Sequence, residues 1–149
     1  MIEDVVTWVV AADGSRARVF EERLRHGPLH EIEHLSLHIR EEDRPHGGRH
    51  GATVHDRSGP GRHSGFDAPP AEEAERRFLR RVAQQLDQAA QEGAFERLVL
   101  MAPPRALGVL RQALSANCRR RVHLSEPHDR VQETAEGLRA RLHSLRAPV

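Results

Sequence analysis

Residues Val5, Val6, Trp8, Val9, Val10, Ala11 and Ala12 are apolar at odd and even positions alike, with Thr7 the one interruption. A strand that is apolar on both faces belongs inside a sheet covered on both sides. Asp13-Gly14 supplies a turn, on the expectation that Gly takes positive φ there. The return run alternates. Ala17 and Val19 share one face, and Arg16, Arg18 and Phe20 share the other.

Further along, Leu29 to Ile39 reads as a third strand, with Leu35, Leu37 and Ile39 opposite His34, Ser36 and His38. His26, His30, His34 and His38 recur every fourth residue, but Gly27-Pro28 breaks any helix between the first two. A solvated strand face accounts for that spacing, and no tetrahedral set of zinc ligands emerges. Pro70 opens a helix running to about Glu92, with Ala74, Phe78, Val82, Leu86 and Ala89 or Ala90 on one stripe. Gly93 caps it. Leu98–Ala102 is a short apolar strand, for which that helix is a suitable crossover to a parallel neighbour. Leu107, Leu110 and Leu114 mark another helix after Pro103-Pro104, and Arg120–Ser125 a last strand. Asp129 with Gln132 has the spacing of a capping box, starting a final helix with Val131, Ala135, Leu138 and Leu142 on one side.

This order predicts an α/β fold: a single mixed β-sheet, β-β-β-loop-α-β-α-β-α, with packed helices. Val5–Ala12 and Leu98–Ala102 are expected side by side in its interior. The expected core includes Trp8, Val10, Phe78, Val82, Leu86, Leu100 and Leu110. Residues 1–149 read as one domain with a Gly/His/Arg-rich loop at 41–68, a segment with little to bury and expected to be poorly ordered.

Charge changes the picture only locally. All 23 basic residues are Arg, and the formal net charge is +1. Residues 1–43 carry five Arg against ten acids, 44–66 four against one, and 67–149 fourteen against eleven. The basic excess begins in the central loop, which favours an anionic partner. Cys118 is the one cysteine, so no intrachain disulfide forms, as suits a reducing compartment. The acidic MIEDVV start lacks the basic segment of a secretory signal, and no apolar run reaches the roughly 20 residues of a membrane span. A soluble, cytoplasmic protein is the expectation.

Two pieces carry a resemblance: TWVVAADGSRARVFE, and RLVLMAPPRALGVLRQAL preceded by ERRFLRRVAQQL. On these the chain resembles the bacterial host attachment family, named as required for attachment to host cells. That family is similar to the middle domain of archaeal and eukaryotic peptide-chain release factors. The resemblance covers nearly the whole chain and implies a release-factor-like fold. Release factors carry a Gly-Gly-Gln tip in the loop before the long helix, which helps position water at the peptidyl-tRNA ester. Here that loop has Gly47-Gly48-Arg49, without the Gln. Family members often end the last strand in an Asp-Leu-Thr-like segment, where this chain reads Ser125-Glu126-Pro127-His128-Asp129.

Two functions of different class follow. One is a non-enzymatic module that contacts RNA or the ribosome through Arg16, Arg18, Gly47, Gly48, Arg49, Arg62, Arg76, Arg77, Arg80 and Arg81, and affects host attachment indirectly. Arg forks and the amides of Gly-rich loops both suit phosphate. The alternative is a hydrolase acting on a tRNA-linked ester or another phosphate-rich substrate, with His50 or His63 as base. Ser64 beside His63 is an adjacency and not a triad. Neither Gly47-Gly48-Arg49-His50-Gly51 nor the similar Gly61-Arg62-His63-Ser64-Gly65 matches a phosphate-binding GxxxxGK[ST] sequence, and no cofactor or metal is expected.

Overall fold

The computed structural model describes residues 5–40 and 70–147. The chain runs β1 (Thr7–Ala12), β2 (Arg16–Glu22), β3 (Leu29–Glu31), a 3-10 turn (Glu33–Leu35) and β4 (Leu37–His38). It continues with α1 (Pro70–Gln91), β5 (Arg97–Met101), α2 (Pro104–Ala113), α3 (Ala116–Arg119), β6 (Val122–Glu126) and α4 (Ala135–Arg146). The strands form one mixed sheet in the order β3-β2-β1-β5-β6, with β4 also paired to β2. β1 lies antiparallel to β2 and parallel to β5, Val10 facing Val19 on one side and Leu100 on the other. The expected neighbouring interior strands are therefore observed.

All six residues of β1 are buried because both faces of the sheet are covered. Trp8, Val10, Leu98 and Leu100 pack with Phe78, Val82 and Leu86 of α1 and Leu110 of α2. Val9, Ala11, Phe20, Val99 and Met101 pack with Leu138 and Leu142 of α4. Trp8 sets its ring 4.9 Å from that of Phe95 and donates its indole N–H to Glu21. The expected core is thus in place, divided by the strands' period of two. No helix among the described residues is long and apolar enough to cross a membrane.

Four local expectations are corrected. The run Leu29–Ile39 is not one strand. In a continuous strand Leu29, Leu37 and Ile39 would share a face, yet Leu29 packs on the α4 side while Leu37 and Ile39 pack on the α1 side. The 3-10 turn makes that change of side, closed by Leu35 N–H to Ile32 O at 3.0 Å and Ser36 N–H to Glu33 O at 3.1 Å. Alternation of residue types does not reveal such a phase change.

Gly14 does not adopt positive φ; among the described residues only His26 and Gly93 do. The β1–β2 turn is organised instead by Asp13, whose Oδ1 accepts the N–H groups of Ser15 and Arg16, each at 2.8 Å. A Cβ at Gly14 would meet the far end of the Glu75 side chain at 2.5 Å, and that side chain would have to shift.

The final helix begins at Ala135 and is capped by Thr134, whose hydroxyl accepts Gly137 N–H at 2.9 Å. Asp129 instead accepts Val131 N–H. In the stretch before it, Arg18 reaches across from β2 and takes the carbonyls of Val131 and Glu133, at 2.8 and 2.7 Å. Val131 is buried, as expected, but lies before the helix.

The fourth correction is an addition. Between α2 and β6 the chain forms the short helix α3, with Ser115 as its N-cap accepting Cys118 N–H at 3.2 Å. Segment 41–68, with its expected lack of order, lies outside the described residues.

Candidate nucleic-acid interface

The carboxyl ends of β1 and β5 open into a cleft of about 430 Å³. Asp13, Gly14 and Ser15 of the β1–β2 turn form one wall, and Pro103, Arg105 and Ala106 at the start of α2 form another. Ile39 and Ala71 also line it. The described chain therefore breaks off, after Arg40, and resumes, at Pro70, beside the same cleft. In α/β sheets the carboxyl ends of parallel strands are the usual place for a ligand, because helices begin there and their free N–H groups point outward.

The chemistry at this mouth is ionic. Arg105 binds Glu72 at 3.1 Å and Glu75 at 3.2 Å, tying the first turn of α2 to the first turns of α1. Sequence reading missed Arg105. Its signal was present: a cation just inside a Pro-Pro helix start, with Glu72 and Glu75 three apart on another helix start. Ser15 provides the one hydroxyl among the cleft-lining residues named, and its hydroxyl donates to Asp13 at 3.3 Å. Among the described residues neither His nor Cys joins it in the wall of the cleft.

Behind the cleft α1 carries its four arginines in two rows, since residues four apart share a side of a helix. Arg76 and Arg80 form one row, and Arg77 and Arg81 the next, about 100° around the axis. Glu73 sits between the rows, 3.7 Å from Arg77 and 3.9 Å from Arg80. Arg81 leans inward, donating to His38 O at 3.3 Å with its guanidinium 5.7 Å from the centre of the Phe78 ring. Arg77 and Arg80 are solvent-exposed, and Arg76 is half-buried.

Arg16 and Arg18 are not part of this patch. They project from β2 on the opposite face from Ala17 and Val19, which pack beneath α1. Arg18 is a structural clamp: besides the two carbonyls, its Nε and Nη2 bind Glu31 at 3.0 and 2.9 Å. The hydrogen bond to Glu31 raises the Arg18 pKa and outweighs burial, and the same bond lowers that of Glu31. The Arg16 Nε is buried and has no hydrogen-bond partner among the described residues. Gly47, Gly48, Arg49 and Arg62, with His50 and His63 of the alternative reading, lie outside the described residues.

Residues 8–142 match the family model described as "protein required for attachment to host cells". The chain belongs to that family. No curated protein matches it. Among solved structures it is similar to the archaeal translation termination factor aRF1, with a TM-score of 0.51 and 10% sequence identity. That match covers 96% of this chain and 39% of the termination factor, so the chain spans well under half of the factor's length. At such low identity the likeness is one of fold, and it agrees with the release-factor-like architecture expected of a host attachment protein. Fold alone assigns no reaction.

Proposed function

We propose that this host attachment family protein is a non-enzymatic module that docks on the phosphate backbone of RNA, free or within the ribosome. On this reading it acts in the cytoplasm and influences attachment to a host indirectly. The observation that carries the proposal is the placement of Arg76, Arg77 and Arg80 on the outer side of α1, next to the point where the Arg- and Gly-containing segment 41–69 leaves and rejoins the described chain. Guanidinium groups on a helix, in a chain whose intervening sequence carries further arginines, suit a polyanion whose charges are regularly spaced. The small number of aromatic residues favours contacts to phosphate over base stacking.

The test is binding of the full chain to RNA and to ribosomes at two or more salt concentrations. Affinity is expected to fall steeply with salt. The double charge reversal Arg76→Glu and Arg80→Glu is expected to weaken binding at least tenfold and to reduce the slope of log K against log[salt] by about 1.4–1.8. Absence of binding by the wild-type chain at low salt overturns the proposal. So does unaided hydrolysis of peptidyl-tRNA.

A further inference from the structure

At the end of the sheet opposite the cleft, the β2–β3 loop lies against α4. A cavity of about 340 Å³ there is lined by Glu22, His26, Glu136, Arg139, His143 and Arg146, among others. His26 and His143 point their Nδ1 atoms at one another, 3.3 Å apart, with the rings steeply inclined at 76°. Both residues are exposed.

We propose that His26 and His143 form a surface site for a borderline transition-metal ion such as Zn2+ or Ni2+, each ring binding through Nδ1. The separation is the first argument. Two nitrogens each bound at about 2.0–2.1 Å to one tetrahedral ion stand about 3.3–3.4 Å apart. The observed 3.3 Å matches that separation.

The second argument is how His26 is held. Its φ is +65°, a left-handed conformation uncommon for a residue other than glycine. Three hydrogen bonds keep it there. Its N–H donates to Glu22 Oε2 at 3.0 Å, and its carbonyl accepts Nε and Nη2 of Arg139 at 3.1 and 2.9 Å. Strain kept in place by surrounding groups is a feature of binding sites, where a side chain must be aimed before its ligand arrives. His143 is held by different means, on the rigid last turns of α4.

The nearby charges are matched. Glu22 pairs with Arg146 at 2.8 Å, and Glu136 with Arg139 at 3.3 Å. Among the described residues no group of three or more His, Cys, Asp or Glu stands ready for a metal, so water completes the coordination. Glu136 lies two turns before His143 and lines the same cavity. Two imidazoles with water select nitrogen-seeking ions and discriminate against Mg2+ and Ca2+, which take oxygen ligands.

The experiment uses the full chain stripped with a chelator and titrated with Zn2+, Ni2+ or Mg2+, read by calorimetry and by NMR of the histidine rings. The variants are His26→Asn, which tolerates the same φ, and His143→Gln on the helix surface, with circular dichroism confirming their fold. Because the chain has 11 His, the decisive comparison is between wild type and variants. The wild type is expected to bind one Zn2+ or Ni2+ more than either variant, or to bind at least tenfold more tightly, with the His26 and His143 signals moving together. Mg2+ should move neither. Equal stoichiometry and affinity in the wild type and His143→Gln, with both ring signals unresponsive to Zn2+, would show a hydrogen-bonded imidazole pair only and overturn the proposal. RNA binding plays no part in this test, so its outcome is separate from that of the proposed function.

Discussion

Glu22 and Arg146 meet in a two-pronged ion pair, both distances 2.8 Å, although they stand 124 positions apart in the chain, and almost no solvent surrounds either. The pair joins the end of β2 to the last turn of α4. Burial pushes the Glu22 carboxyl upward, but hydrogen bonds from Arg146 and from the His26 backbone outweigh it and hold its pKa below the ordinary value. Breaking such a pair leaves one uncompensated charge in the interior. Arg146→Leu is therefore expected to destabilise the protein by about 3–5 kcal/mol, measured by urea unfolding. Glu22→Leu combined with Arg146→Leu should be more stable than either single variant, since no lone charge remains. If the double variant is the least stable of the three, the pair is not the cause.

Acid stability should depend on Glu126, which is 2% exposed at the end of β6 and held by Arg130 and Arg141. Burial raises its pKa, and the hydrogen bonds from the two arginines lower it by more. A depressed folded-state pKa gives stability that is complete above the unfolded carboxylate value of about 4.3 and lost as pH falls through the folded value. The Glu126 contribution to the unfolding free energy should thus be flat from about pH 7 to 5 and fall below about pH 4. Glu126→Gln should be less stable at pH 7 and lose less on acidification. An unchanged acid slope in that variant would sink the assignment.

Phe78 is fully buried in the cluster shared by α1 and the sheet. Phe78→Ala should cost about 3–5 kcal/mol through lost burial and the cavity left behind. Trp8, the single tryptophan, is 5% exposed and reports on the same layer. Its emission should be blue-shifted in the native wild type and move to the red at a lower denaturant concentration in the variant. A native emission already characteristic of exposed indole contradicts this packing.

Two glycine substitutions should act with opposite sign. Gly93 ends α1 at φ +74°, and a Cβ there meets nothing within 4 Å. Gly93→Ala therefore costs only backbone strain, about 1–2 kcal/mol. Gly108 lies inside α2, exposed, also with open space around a Cβ. Gly108→Ala should stabilise by about 0.4–1 kcal/mol by restricting the unfolded chain. Thermal melts of the two variants decide it, and shifts in the same direction would contradict the conformational account.

What the sequence determined by itself were the features written in short-range pattern. The two-faced apolar run at β1, the stripe from Ala74 to Ala90 and the apolar β5 each carry their period locally, so the interior strands, the long helix and the buried side of each were legible. Gly93 could be placed as a cap because it follows the last residue of that stripe. The tertiary structure alone decided where a partner distant in sequence overrides the local signal. Arg18 holds the carbonyls of Val131 and Glu133, in the stretch between the Asp129 signal and the actual start of α4 after Thr134. The 3-10 turn at Glu33–Leu35 carries the chain from one face of the sheet to the other. The candidate arginines divided for the same reason. Arg76 to Arg81 stay together because one helix carries them, while Arg16 and Arg18 go to the other face because a strand alternates its side chains. Glu22, His26, His143 and Arg146 meet only when α4 folds back onto the β2–β3 loop, and no periodicity along the chain encodes a contact across more than a hundred residues.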